Sequence, residues 1–173
     1  MHPPLAKDPI AEIRKNWQRQ GWDAAAAPAA AVTAIMRTQQ ILLGRAQEIL
    51  KPFELTFARY EVISLLSFSR EKRMPMNKAS KLLQVHPTSI TNAVDRLESA
   101  GLVQRQRHES DRRAMLLALT PEGKQVAEQA TQALNEQLFE RSGFEAQEIV
   151  DLNAILANFR QRAGDFSAEA PAG

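Results

Sequence analysis

The side chains best suited to contact another molecule lie in residues 86–100, a stretch that predicts a helix. Its polar face carries small hydroxyl groups, an amide and an arginine: Thr88, Ser89, Thr91, Asn92 and Arg96. Small polar groups let a helix approach DNA base edges closely, an asparagine can pair with adenine through two hydrogen bonds, and an arginine can hold phosphate or guanine. The pattern indicates major-groove reading, although an ordinary amphipathic helix with a solvated polar face looks similar.

Both ends of this helix are marked in the sequence. Pro87 suits the first helical position, where its missing N–H costs nothing, and His86 lies just outside as a weak N-cap. Gly101 can close the helix in the left-handed conformation. The opposite face is apolar at helical spacing, at Ile90, Ala93, Val94 and Leu97. We therefore expect one side of the helix to pack on a core.

A shorter helix, Lys78–Leu83, is predicted just before it. Asn77 can act as its N-cap. Its apolar side chains, expected to be buried, are Ala79, Leu82 and Leu83. The connection of residues 84–86 is short, which is typical of a sharply crossed helix pair whose second helix enters the major groove.

A hairpin is predicted after Gly101. Residues 102–108 and 114–120 read as its two strands, on either side of the loop Glu109–Arg113. A third short strand is expected at Met74–Met76, and its proline confines it to the sheet edge. Two helices followed by such a hairpin predict a winged helix-turn-helix.

The hairpin loop and one helix residue carry charges with more than one interpretation. Arg112 and Arg113 can reach the minor groove or its phosphates, with Asp111 orienting one of them. The alternative is a solvated charged turn. On the helix, Asp95 could accept a hydrogen bond from cytosine or anchor a neighbouring arginine.

The segment His86–Gly123 resembles the recognition helix, wing and following helix start of the MarR family of bacterial transcription regulators. The family's wing pattern is matched by Asp111, Arg113, Leu119, Thr120 and Gly123. A weaker resemblance extends from about Val32 to Phe159. It implies an obligate homodimer on a pseudo-palindromic operator, often released by a small molecule.

The family places its ligand between the DNA reader and the dimerisation helices. Here Trp17, Arg59, Tyr60 and Glu61 could line such a space. Each of these residues also has an ordinary explanation in core packing or surface exposure, and that alternative is the favoured one.

The division of charge along the chain agrees with a DNA reader. Residues 70–113 hold ten basic and five acidic side chains, whereas residues 114–173 hold four and nine. A surface that faces DNA requires this asymmetry. No apolar run approaches 18 residues and the N-terminus lacks a signal-peptide segment, so a cytoplasmic protein is expected.

The fold class predicted is mainly α (α+β), with a small two- to three-stranded wing sheet. Four regions are predicted: residues 1–28, an arm with a short extra helix; residues 29–56 plus 121–163, a helical dimerisation region; residues 57–120, the winged helix-turn-helix domain; and residues 164–173, a disordered tail. Other helices are expected at Ile10–Gln20 and, after a linker Gly21–Ala31, from about Pro28 to Leu50. Three more are expected at Phe57–Ser69 capped by Thr56, from Pro121 to about Arg141 capped by Thr120, and at Glu145–Ala163.

The sequence offers no catalytic or metal-binding pattern. The chain has no cysteine, and His2, His86 and His108 lack ligand spacing for one another, so neither a zinc site nor a cofactor is predicted. No nucleophile motif or glycine-rich phosphate loop occurs. The favoured prediction is a double-stranded DNA-binding regulator, more specifically a homodimeric repressor with a possible small-molecule effector. The alternative is a winged-helix protein-interaction module with weak or no DNA binding.

Overall fold

A computed structural model describes residues 5–107 and 115–167. Seven α-helices are α1 (Pro9–Arg19), α2 (Asp23–Leu50), α3 (Phe57–Phe68), α4 (Met76–Leu83), α5 (Pro87–Ser99), α6 (Pro121–Leu134) and α7 (Ala146–Arg162). Three antiparallel strands, β1 (Arg73–Pro75), β2 (Val103–Arg107) and β3 (Met115–Leu119), form a sheet in the order β1-β3-β2. The predicted class, mainly helical with a small wing sheet, is confirmed.

The hydrophobic core lies where α3, α5 and α6 meet the sheet and the end of α2. Its fully buried side chains include Leu50, Ile63, Leu66, Ile90, Leu97, Leu117 and Leu134. Of the apolar residues predicted on the inner face of α5, Ile90, Val94 and Leu97 are buried and Ala93 is half-buried. These residues recur at the 3.6-residue period of a helix. The core therefore holds α5 from one side only.

Several predicted helix ends are confirmed by their caps. The Thr56 hydroxyl accepts from the Arg59 backbone N–H at 3.3 Å, and that of Thr120 accepts from the Gly123 N–H at 2.9 Å. Gly101 closes α5 with φ +73°. Such caps depend on a few adjacent residues, which is why a sequence reveals them.

The predicted linker of residues 21–31 is wrong, because α2 already begins at Asp23 and contains Pro28. Alanine has the highest helix propensity, and the start of α2 packs against α1, with Ala26 buried. We infer that propensity and docking together outweigh the hydrogen bond that Pro28 cannot make. The regional boundary predicted between residues 28 and 29 consequently lies inside α2.

Two expectations for α4 are also wrong. The strand β1 leads directly into the helix at Met76, so Asn77 lies within the first turn instead of capping it. Leu82 is 55% exposed. The buried side of α4 runs through Ala79 and Leu83, and Leu82 lies about 100° round the helix from Leu83.

The C-terminal helices follow the prediction with changed ends. α6 continues into a π-helical turn, Asn135–Phe139, and α7 begins with a reciprocal capping box between Glu145 and Glu148. The disordered tail was predicted from Gly164, yet Asp165 accepts from Gln84 and Arg160 through its backbone and side-chain oxygens. Within the described ranges, no helix is long and apolar enough to cross a membrane.

Candidate nucleic-acid interface

The turn between α4 and α5 fixes the direction of the second helix. Gln84 adopts the left-handed conformation, and the Ser80 hydroxyl donates to the Val85 carbonyl at 2.9 Å. His86 caps α5, because its Nδ1 accepts from the Thr88 N–H at 3.3 Å. This short, hydrogen-bonded turn keeps α4 and α5 in contact. The sharp crossing of the two helices stays a prediction.

The polar face of α5 is presented to solvent. Ile90, Val94 and Leu97 are buried beneath it. The five predicted reading residues, Thr88, Ser89, Thr91, Asn92 and Arg96, are all exposed. Residues 88, 92 and 96 recur every four positions and so lie along one stripe of the helix. The helix can thus enter a groove without uncovering the core.

An ionic network joins α5 to the first wing strand. The Arg105 guanidinium on β2 pairs with both Asp95 and Glu98 of α5. Glu98 also accepts from the Arg105 backbone N–H at 3.0 Å. The hydrogen bond with Asp95 is the main cause that raises the pKa of Arg105, so the guanidinium stays charged. The guanidinium thus offsets negative charge from two carboxylates on α5, the reader helix.

This network resolves one ambiguity in the sequence. Asp95 does anchor an arginine, but the partner is Arg105, ten residues further along the chain. Sequence reasoning missed both Arg105 and Glu98. A usable signal was present, since Asp95 and Glu98 are three residues apart on a helix, which puts them on one side. Which arginine pairs with these two carboxylates is shown only by the structure, in which β2 packs against α5.

The predicted wing contacts Asp111, Arg112 and Arg113 lie outside the described residues. The described strands flank them: β2 and β3 pair from Val103 opposite Leu119 to Arg107 opposite Met115.

Two surface grooves border α5. The first, about 510 Å³, lies between α5 and the start of α3 and is lined by Thr56, Ala58, Arg59, Ser89, Asn92, Ala93 and Arg96. The second, about 380 Å³, lies between α5 and α6, with Glu54, Arg59, Arg96, Leu102, Glu122, Val126 and Gln129 among its lining residues. Arg59 and Arg96 are common to both grooves, so they stand between them.

The four predicted pocket residues take separate positions. Arg59 lines both grooves, whereas the other three line neither of these two. The Trp17 ring packs edge-on against Trp22, with centroids 5.9 Å apart. Tyr60 is buried, and its hydroxyl lies 3.2 Å from the Thr131 hydroxyl. Burial raises the pKa of the half-buried Glu61 carboxyl.

Comparison with known proteins decides the family. The model of the MarR family matches residues 57–115, from the start of α3 to the start of β3. SarZ, a transcriptional regulator from Staphylococcus saprophyticus, is 31% identical over 110 residues, which cover 64% of this chain and 73% of SarZ. The chain belongs to the MarR family of winged-helix transcription regulators. The family resemblance seen in the sequence is thereby confirmed.

Solved MarR-family structures agree with the fold. Sco5413 from Streptomyces coelicolor superposes with a TM-score of 0.74 and 43% identity, covering 82% of this chain and 99% of that one. A mutant of MarR from E. coli, solved in complex with operator DNA, superposes with a TM-score of 0.68 and 26% sequence identity. The match covers 73% of this chain and 91% of that one. These relatives are transcriptional regulators, not enzymes, and the same class applies to this chain.

Proposed function

We propose that this MarR-family regulator is a homodimeric repressor that binds a pseudo-palindromic operator. The proposal rests mainly on the two faces of α5. Its apolar side is buried in the core, while its small polar residues and Arg96 face solvent. A helix of this kind fits the major groove, where short polar side chains reach base edges. A regulator of chromosomal DNA would act in the cytoplasm.

Base reading is assigned to the first turns of α5. Thr88, Ser89, Thr91 and Asn92 would contact base edges, and Arg96 would hold phosphate or guanine. The wing residues Asp111, Arg112 and Arg113 would reach the minor groove or its phosphates. Asp95 is not assigned a base, because it is paired with Arg105.

The homodimer is proposed from uncovered apolar surface. α7 has no buried residue in the single protomer, and its Ile155 and Phe159 are 63% and 62% exposed. The middle of α2 likewise exposes Ile35 and Met36. Exposed apolar residues grouped in this way on a helix often mark an interface. We assign these two helices to a second copy of the chain.

A small-molecule effector is proposed to bind between the DNA reader and the helices beyond it. The groove of about 380 Å³ between α5 and α6 occupies such a place, and it combines apolar Leu102 and Val126 with charged Arg59 and Glu122. Mixed apolar and polar linings of this size suit small ligands. Participation of Trp17, Tyr60 and Glu61 stays a prediction.

Selection of bound duplexes from a random DNA pool, at about physiological salt, tests the function. An inverted repeat with half-sites about one helical turn apart is expected. A pool that stays random would contradict the proposal and favour the protein-interaction alternative. Sedimentation at micromolar concentration should give about twice the 19.3 kDa of one chain. A 19.3 kDa species would contradict the dimer.

A further inference from the structure

The groove of about 510 Å³ between α3 and α5 shares its wall with the reading face. Ser89, Asn92 and Arg96 contribute from α5, and Thr56 and Arg59 contribute from the start of α3. Any molecule laid against this side of α5 therefore also meets α3. The family comparison covers this part of the chain, yet nothing in the proposed function gives Arg59 a role in DNA contact.

The charge of the groove is positive. Two guanidinium groups line it and no carboxylate does. Throughout residues 5–107 and 115–167, no acidic side chain forms a salt bridge with Arg59 or Arg96, whereas Arg73, Arg105 and Arg160 are each paired. An arginine with no acidic partner among these residues can bind an external anion without first breaking a pair.

Arg59 is also oriented. Its Nε lies 3.2 Å from the Thr56 hydroxyl, the same oxygen that caps α3. That contact occupies one edge of the guanidinium, and across the described ranges no hydrogen bond uses its two terminal nitrogens. A planar guanidinium held by one edge presents the others to a ligand, and phosphate oxygens match their geometry.

We infer that this groove binds a phosphodiester group of the same DNA duplex that α5 reads, with Arg59 as the new contact and Arg96 beside it. The inference rests on the proposed function. A helix in the major groove is flanked by sugar–phosphate backbones, so a cationic groove along its side lies where a backbone passes. The contact adds affinity and fixes the register of α5 without reading sequence.

The test compares Arg59→Gln with Arg14→Gln, a matched loss of charge on exposed α1, which lines neither groove. Fluorescence anisotropy measures DNA binding over a series of salt concentrations. Arg59→Gln should lower the log–log salt slope by about 0.9, the contribution of one phosphate contact. It should weaken binding to the selected and scrambled duplexes by the same factor. Arg14→Gln should keep the wild-type slope.

Two further measurements separate the possible outcomes. Arg59→Lys keeps the charge and should recover most of the slope. Ethylation of single backbone phosphates should reveal one position that weakens wild-type binding but not binding by Arg59→Gln. If the folded Arg59→Gln protein keeps the wild-type slope and ethylation pattern, the inference is overturned while the proposed function stands. If the wild type binds no duplex, both are overturned.

Discussion

Replacing Gly123 by alanine should destabilise the protein, although alanine normally stabilises a helix. A Cβ atom at this position would lie 1.9 Å from the Leu102 carbonyl oxygen and 2.8 Å from its carbon. Both are backbone atoms, so no side-chain rotation relieves the overlap. The wing pattern that suggested the family includes this glycine, and the close approach of α6 to Leu102 explains why.

The magnitude follows from what must move. The added Cβ atom and the Leu102 oxygen must move apart by 1.1 Å to increase their distance from 1.9 Å to 3.0 Å. That shift stretches the bonds from the Thr120 N–H to Leu102 at 3.1 Å and from its hydroxyl to Gly101 at 2.7 Å. Each is worth about 1 kcal/mol. Overpacking costs about 1–3 kcal/mol, and the helix gains about 1 kcal/mol from alanine. A net loss of about 2–4 kcal/mol is expected.

Urea unfolding followed by circular dichroism, at one fixed protein concentration, measures this loss. The control is Gly44→Ala in α2, where an added Cβ meets nothing of its own protomer within 4 Å. That variant should gain up to about 1 kcal/mol. The two glycines therefore predict shifts of opposite sign. A Gly123→Ala protein that unfolds at the wild-type urea concentration, or above it, would refute the close-approach argument.

Three further changes test the reader and the core. Asn92→Ala should cost about 1–3 kcal/mol on the selected duplex and little on scrambled DNA; an unchanged ratio of the two affinities in anisotropy titrations would remove its base-reading role. Arg105→Gln leaves Asp95 and Glu98 unpaired on the reader helix, so binding to every duplex should weaken far more than urea stability falls; a loss confined to stability would show that the network is only structural. Glu61→Gln should stabilise at pH 7, because a carboxyl whose folded-state pKa is raised above 4.5 destabilises the fold while ionised. This gain should disappear as the pH falls below about 4.5, and a gain that is constant with pH would contradict the burial effect.

Features of this fold that depend on neighbouring residues could be predicted from the sequence. Pro87 and Gly101 mark the ends of the reader helix because each restricts or permits a backbone conformation on its own. Thr56 and Thr120 cap helices by bonding to N–H groups three residues away. The apolar face of α5 follows from spacing alone.

Features that depend on distant contacts could not be predicted in the same way. Pro28 is a local signal for a helix start, but the docking of α1 on α2 extends the helix before it. Arg105 reaches its partners only after β2 has folded back along α5. Nothing in the sequence near Arg59 indicates that it borders the reading face, because the groove joins two helices some thirty residues apart.

The edge-on pair of Trp17 and Trp22 has a spectroscopic consequence. These are the two tryptophans of the chain. Both lie at the junction of α1 and α2, and neither lines the two grooves beside α5. Intrinsic tryptophan emission will therefore report on the helix pair α1–α2, whereas circular dichroism reports on the whole molecule. If the α1–α2 pair unfolds separately, the unfolding curves from fluorescence and from circular dichroism will diverge. DNA that binds to α5 should leave the tryptophan emission nearly unchanged unless binding also rearranges the α1–α2 pair.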